Sequence, residues 1–196
     1  MLSTYEIRRK IVHVFSGLFC VFLINNFDKN FLLAFLLMLL IIGLTLSIIV
    51  KYLKPKLISY LLSLFDKPKD FEKFPGKGAI YFLIGLIFSI FFFEKNVASA
   101  SILILAFGDA SAHIIARYYG KTKLIINPKK VLEGTIAGTI AGTIAASFFV
   151  PWQIAFFGSF FGMIVEAIEL EFLNLDDNFY IPAVSGFVIS LIKRII

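Results

Sequence analysis

Asp109 is a carboxylate set in an apolar run, within the stretch GDASAHIIARYYGKTKLIINPKKVLEG of residues 108–134. It stands eight residues before Arg117, which on a helix places it about 12 Å from the basic boundary. An ionised carboxylate at such depth in an apolar segment costs at least about 2.5 kcal/mol, so it requires a partner or a wet cavity. Ala112, His113 and Ala116 follow at i+3, i+4 and i+7 and share its side. The spacing predicts a narrow groove of small residues with a carboxylate and an imidazole one turn apart.

The next residues favour anions. Gly120-Lys121-Thr122 has the ending of a P-loop, but the first glycine of that motif would fall at Ile115, and a helix rather than a strand precedes the loop. What remains is a lysine-rich loop, Lys121, Lys123, Lys129 and Lys130, closed by Glu133-Gly134 at the start of a helix. Lysines beside helix-opening amides form a phosphate site. Further on, Glu166 and Glu169 share a helix face at i, i+3, Glu171 follows, and Asp176-Asp177-Asn178 opens the last apolar run. Carboxylates beside that loop would repel a nucleotide unless a cation intervened, and oxygen donors with phosphate suit Mg2+. Lysines and carboxylates at one face therefore point to phosphoryl or nucleotidyl transfer. His13, beside Arg9 and Lys10, reads either as a substrate contact or as a satisfied interfacial histidine.

The elements that must position these groups are membrane helices. Of 196 residues 59% are hydrophobic and 16% charged, with 24 Phe and a mean hydropathy of +0.91. A soluble domain carries about 25% charge, so lipid is the expected solvent. Apolar runs cover roughly 11–24, 31–50, 79–93, 97–116, 131–150, 152–168 and 179–192. Three reach the ~20 residues that cross a bilayer; the rest need tilt or local thinning. The expectation is one all-α membrane domain over residues 1–196, a polytopic bundle of about seven spans. Six plus a re-entrant piece is the alternative. Arg8, Arg9 and Lys10 before an apolar run imitate a secretory signal, but no small-x-small site follows, so the segment is kept as the first span. With seven spans, 15 of the 19 basic residues fall on one side. The positive-inside rule then puts the amino terminus and both long loops in the cytoplasm. Topology and anionic headgroups account for the basic residues without nucleic acid. The patch Leu57–Phe65 in the first long loop reads as an interfacial amphipathic helix. The lone Cys20 excludes an internal disulfide and reads as packing. GTIAGTIAGTIAA repeats glycine at 134, 138 and 142, a small-xxx-small stripe for close helix packing, within the chain or in a homodimer.

Four blocks carry a family resemblance: Glu6–Gly17 (EIRRKIVHVFSG), Gly108-Asp109 through Gly120-Lys121, Lys129–Gly134 (KKVLEG), and Glu166 with Asp176-Asp177-Asn178 and Ile181-Pro182. In these the chain resembles the membrane CTP-dependent lipid-alcohol kinases, which include dolichol kinase, phytol kinase and the yeast-type diacylglycerol kinase. That family is distantly similar to phosphatidate cytidylyltransferases. Lys130 departs from the family's K-S-x-E-G block, which commonly has Ser there. The resemblance implies a cell-membrane enzyme that transfers the γ-phosphate of CTP to a lipid alcohol, polyprenol or dolichol-like, at the cytoplasmic face. It implies metal ligation by Asp109, Asp177 and Glu166, triphosphate binding by Lys121, Lys123, Lys129, Lys130 and Gly134, and Glu133 holding a metal-bound water or a lysine. Asp109 or His113 would take the hydroxyl proton, and Arg9, Lys10, His13 and Asn178 would meet the lipid headgroup. A cytidylyltransferase making a CDP-lipid shares these needs; a transporter, the reading from another class, should instead show broken spans near the midplane.

Overall fold

The structure, a computed structural model, describes residues 4–63, 68–168 and 176–195. Glu169 and Glu171, and the end of the Leu57–Phe65 patch, lie outside the described residues. Apart from one isolated antiparallel bridge between Lys123 and Val131, the regular structure among the described residues is helical. The elements are α1 (Thr4–Asn26), α2 (Lys29–Leu53), the short α3 (Lys56–Ser63) and α4 (Pro68–Lys73), α5 (Lys77–Phe92) and α6 (Lys95–Leu103). A π-helical turn (Ile104–Asp109) leads into α7 (Ala110–Tyr119), followed by α8 (Leu132–Ala146), α9 (Trp152–Ile168) and α10 (Asp177–Ile195). Local signals set the boundaries. Asp28 caps α2 by accepting the amides of Asn30 and Phe31. At the other end Lys54 adopts a left-handed φ of 47° and Pro55 follows, so α2 stops. α6, the π turn and α7 run on as one 25-residue helix, Lys95–Tyr119.

That helix and α2 are long and apolar enough to cross a bilayer; α5 and α9 are apolar but shorter. Exposed side chains say the same of the outer surface. Phe15, Phe19 and Phe22 project from α1, Phe31, Ile41 and Ile48 from α2, and Ile136, Ile140 and Ile144 from α8 at four-residue steps. An apolar outer surface of this extent is what a bilayer accepts and water does not. The protein is a membrane protein.

Neighbouring helices meet through small residues. Along α8, Gly134 lies against Ala112 and Ala116, Gly138 against Gly108 and Met163, and Gly142 against Ser159 and Ile104. The glycine stripe is therefore used within the chain, between α7 and the π turn on one side and α9 on the other. Thr135, Thr139 and Thr143 return their hydroxyls to the carbonyls four residues back, so the stripe beside it carries no unpaired polar group. α8 also corrects one expectation. Ala112 and Ala116 do not line a groove with Asp109, because the glycines of α8 fill that space, while Asp109 turns to α1. Gly17 on α1 abuts Ala106 of the π turn, where an added Cβ would fall 2.5 Å from that methyl group. α5 and α10 run side by side, Gly85 against the Asn178 backbone and Gly186 against the Phe93 ring.

These contacts fix direction as well as order. Lys10 meets Asp109 while Asn25 meets Ser99, so α1 is antiparallel to the α6–α7 helix. Lys29 reaches the Phe91 carbonyl, and Lys193 pairs with Glu94. One end of the bundle thus gathers the start of α1, the end of α7, the lysine loop, the end of α9 and the start of α10. Substituting Gly138 by Val should destabilise the fold by about 1–3 kcal/mol, because its Cβ would fall 2.8 Å from the Gly108 carbonyl oxygen. Thermal unfolding of detergent-purified protein checks this, with the outward-facing Ile140→Val leaving the midpoint unchanged.

Candidate active site

Lys10 and Asp109 form the centre of the polar end. The Lys10 ammonium donates to Asp109 Oδ2 at 2.5 Å, and both side chains are buried, at 7% and 8% exposure. His13, one turn along α1, brings Nε2 to 3.9 Å from the same oxygen. One turn in the other direction, Glu6 Oε1 lies 3.7 Å from His113 Nε2. Asp109 and His113 do share a face, as their spacing predicts, but each is matched to α1 rather than to the other. The register that does this follows from the close approach of Gly17 to Ala106. π turns often mark functional positions, since the wider turn rephases the side chains that follow, and here Asp109 closes one.

Beside this pair opens a cavity of about 500 Å³, within the usual range for small-molecule sites. Its polar end holds Arg9, Lys10, His13, Asp109, Asp177 and Asn178. Its long wall is apolar: Phe19 and Leu23 of α1, Phe35, Leu36 and Leu39 of α2, and Phe82, Leu83 and Leu86 of α5. Leu62 of α3 reaches the same space, which ties the expected interfacial helix to the cavity. Cys20 is buried in this wall, in the packing role expected of it. From Lys10 to Leu23 the cavity follows α1 for about 20 Å.

The lysine loop folds back on itself. Leu132 N donates to the Thr122 carbonyl and Leu124 N to that of Lys130, at 2.9 and 3.0 Å. Asn127 holds the loop to α9 through the Ala167 carbonyl, 3.1 Å away. Glu133 accepts from the backbone N–H of Thr122 (3.1 Å) and from its hydroxyl (2.9 Å). Its carboxylate is therefore a clamp that closes the loop onto the start of α8, a partner that composition alone did not suggest. Gly134 is packed against α7. Lys121, Lys123 and Lys129 are exposed, whereas Lys130 is half-buried and paired with Glu166. Burial disfavours charge on Lys130, but the Glu166 carboxylate outweighs it and holds the lysine above its ordinary pKa.

Two of the three expected metal ligands lie where a cation could join them to phosphate. Asp109 and Asp177 both line the polar end of the cavity, and the charge of Asp177 acts on Asp109. Glu166 is engaged by Lys130 and does not line the cavity. Among the described residues no three carboxylate, imidazole or thiolate groups converge on one point. Magnesium is usually held by one or two carboxylates together with substrate phosphates; Asp109 and Asp177 are the expected ligands at the cavity's polar end that could serve, with Asp109 Oδ2 also accepting from Lys10. Asn178 donates its side-chain amide to the Gly78 carbonyl (3.1 Å), which fastens the start of α10 to α5 beside the cavity.

No family model and no solved structure matches the chain. It is 31% identical over 195 residues to the uncharacterized protein MJ1137 of Methanocaldococcus jannaschii, covering 94% of this chain and 93% of that protein. It is 30% identical over 138 residues to phytol kinase 1, chloroplastic, of Arabidopsis thaliana, covering 67% and 44%. To CTP-dependent diacylglycerol kinase 1 of Saccharomyces cerevisiae it is 25% identical over 141 residues, covering 60% and 49%. The chain belongs to the CTP-dependent lipid kinase family. It spans less than half the length of these two curated kinases. In this family member the block Lys129–Gly134 has a structural explanation, since Glu133 and Lys130 tie the loop to α8 and α9 respectively. Glu133→Ala should therefore loosen the loop. Limited trypsin digestion is expected to cut at Lys121 or Lys123 several-fold faster in the variant than in the parent protein.

Proposed function

We propose that the protein transfers the γ-phosphate of CTP to the hydroxyl of a membrane lipid alcohol. One observation carries the reading: an apolar cavity some 20 Å long by helical rise ends on a buried Lys10–Asp109 pair and Asp177. A lipid alcohol has that polarity, an apolar chain with one reactive oxygen at its end. Phytol, named for one relative, is an isoprenoid alcohol, and that likeness favours an isoprenoid chain of the polyprenol or dolichol type. The acceptor oxygen bonds to the γ-phosphorus as the bond from phosphorus to the β–γ bridging oxygen breaks. CDP leaves with that electron pair, and the hydroxyl proton is released.

Asp109 and Asp177 would hold Mg2+, which when bound neutralises charge on the phosphates. Lys121, Lys123 and Lys129 surround the outer approach, where exposed ammonium groups attract a triphosphate. Phosphoryl transfer depends mostly on positioning and charge neutralisation, so a buried lysine beside the reacting carboxylate is well suited to it. On the expected seven-span topology, 15 of the 19 basic residues fall on the side of this end. By the positive-inside rule it faces the cytoplasm of the cell membrane, with about seven spans and the amino terminus inside. The glycine stripe of α8 is consumed by internal packing and gives no support to a homodimer.

Labelled CTP tests the reaction. In reconstituted vesicles with Mg2+ and a lipid alcohol, γ-label is expected in the lipid and α-label is not. Appearance of α-label in the lipid would indicate a cytidylyltransferase instead. Asp109→Asn should lower transfer by about 10²-fold, the scale of losing one charged group from a transfer site. Full activity in that variant would refute the site.

A further inference from the structure

His13 and Arg9 are polar side chains at the head of the cavity that each keep a buried nitrogen without a partner, and His13 is the one set beside Asp109. Its Nε2 is buried and has no hydrogen-bond partner, although the ring lines the cavity and is 13% exposed. Phe82, from the opposite wall, meets the ring edge-to-face with centroids 5.4 Å apart at 65°, which holds its orientation. Asp109 Oδ2 is 3.9 Å away, too far for a hydrogen bond. A single oxygen fits that gap. Placed about 2.8 Å from each atom, at ordinary hydrogen-bond length, it subtends an angle of about 90° and lies on the cavity side. Beyond His13 the wall continues through Ser16 and then turns apolar through Phe19, Cys20 and Leu23, so an oxygen between His13 and Asp109 would be the terminal atom of a chain lying along α1.

We infer that His13 holds the hydroxyl of the acceptor: its Nε2–H donates to the hydroxyl oxygen while the hydroxyl proton points to Asp109. This rests on the kinase reading and adds to it the residue that orients the nucleophile. His113, the imidazole expected from spacing, has no such place, because it faces Glu6 and does not line the cavity. The arrangement selects for a hydroxyl. A chain ending in a methyl ether has no proton for Asp109, and a hydrocarbon leaves His13 Nε2 without a partner.

Two measurements test this in the full-length protein in detergent or vesicles. Steady-state kinetics of His13→Leu should show kcat/KM for the lipid alcohol reduced about tenfold, the scale of one hydrogen bond, with KM for CTP unchanged. His13→Gln, which keeps an N–H donor, should recover part of the loss. Second, the ¹⁵N resonance of His13 Nε2 should shift when geranylgeraniol is added and stay fixed with the hydrocarbon of the same chain, which has no oxygen to accept its proton. Equal losses toward both substrates, or a wild-type kcat/KM in His13→Leu, would overturn the assignment, as would identical shifts with alcohol and hydrocarbon. The resonance experiment needs no turnover. A protein that shifts with the alcohol yet transfers no phosphate from CTP would refute the kinase reading and leave His13 as the hydroxyl site.

Discussion

A carboxylate inside an apolar bundle must be matched, and in this protein the match is Lys10. The 2.5 Å contact between them joins the first helix to the π turn that closes at Asp109. A buried ion pair is poor evidence for stability, because desolvation of two charges offsets most of their attraction. Its retention in a chain otherwise so apolar is better explained by use. The pair also sets the position of α1. With α1 laid on the π turn by Lys10, Gly17 and Asn25, its other side is left facing α2 and α5 across a gap, and that gap is the cavity.

The cavity then orders chemistry by depth. Basic residues lie outermost, in a loop held by Glu133 and Asn127. The Lys10–Asp109 pair, His13 and Asp177 form a polar band beneath, and aromatic and branched side chains continue from there toward the far end. A substrate that is charged at one end and apolar at the other finds a matching environment at each level. On the proposed function, a reaction at this boundary would remove water from the acceptor while leaving the nucleotide an aqueous approach. The opposite end of the bundle is fastened by simple means, Lys29 and Lys95 on helix-end carbonyls and Lys193 on Glu94, with no comparable polar cluster among the described residues.

Much of this was legible in the residues. An isolated Asp109, a glycine every fourth position along α8, and basic residues gathered in alternate loops each have a direct physical consequence, and the structure shows the first as buried and the second as helix packing. The four motif blocks likewise named the family that the relatives support. What the chain could not reveal was register between distant helices. Nothing local tells that Asp109 meets Lys10, 99 positions away, or that His13 rather than His113 lines the cavity. The π turn changes the facing of Asp109 without any glycine or proline inside it that would announce the change beyond Gly108. The resemblance implied Glu133 at a metal-bound water or a lysine; in the structure its carboxylate accepts from the amide and hydroxyl of Thr122, eleven residues earlier. Glu166 similarly went to Lys130, the residue by which this chain departs from the family's serine.

The central claim is that the Lys10–Asp109 pair exists for transfer rather than for folding. A double-mutant cycle of Lys10→Met and Asp109→Leu, read by thermal unfolding and by lipid phosphorylation, addresses it most directly. The account predicts that each single variant loses about 3–5 kcal/mol, since it buries an unpaired charge, and that the double variant regains the parental midpoint while forming no lipid phosphate. Additive losses in the double variant, or phosphorylation that survives it, would contradict the account.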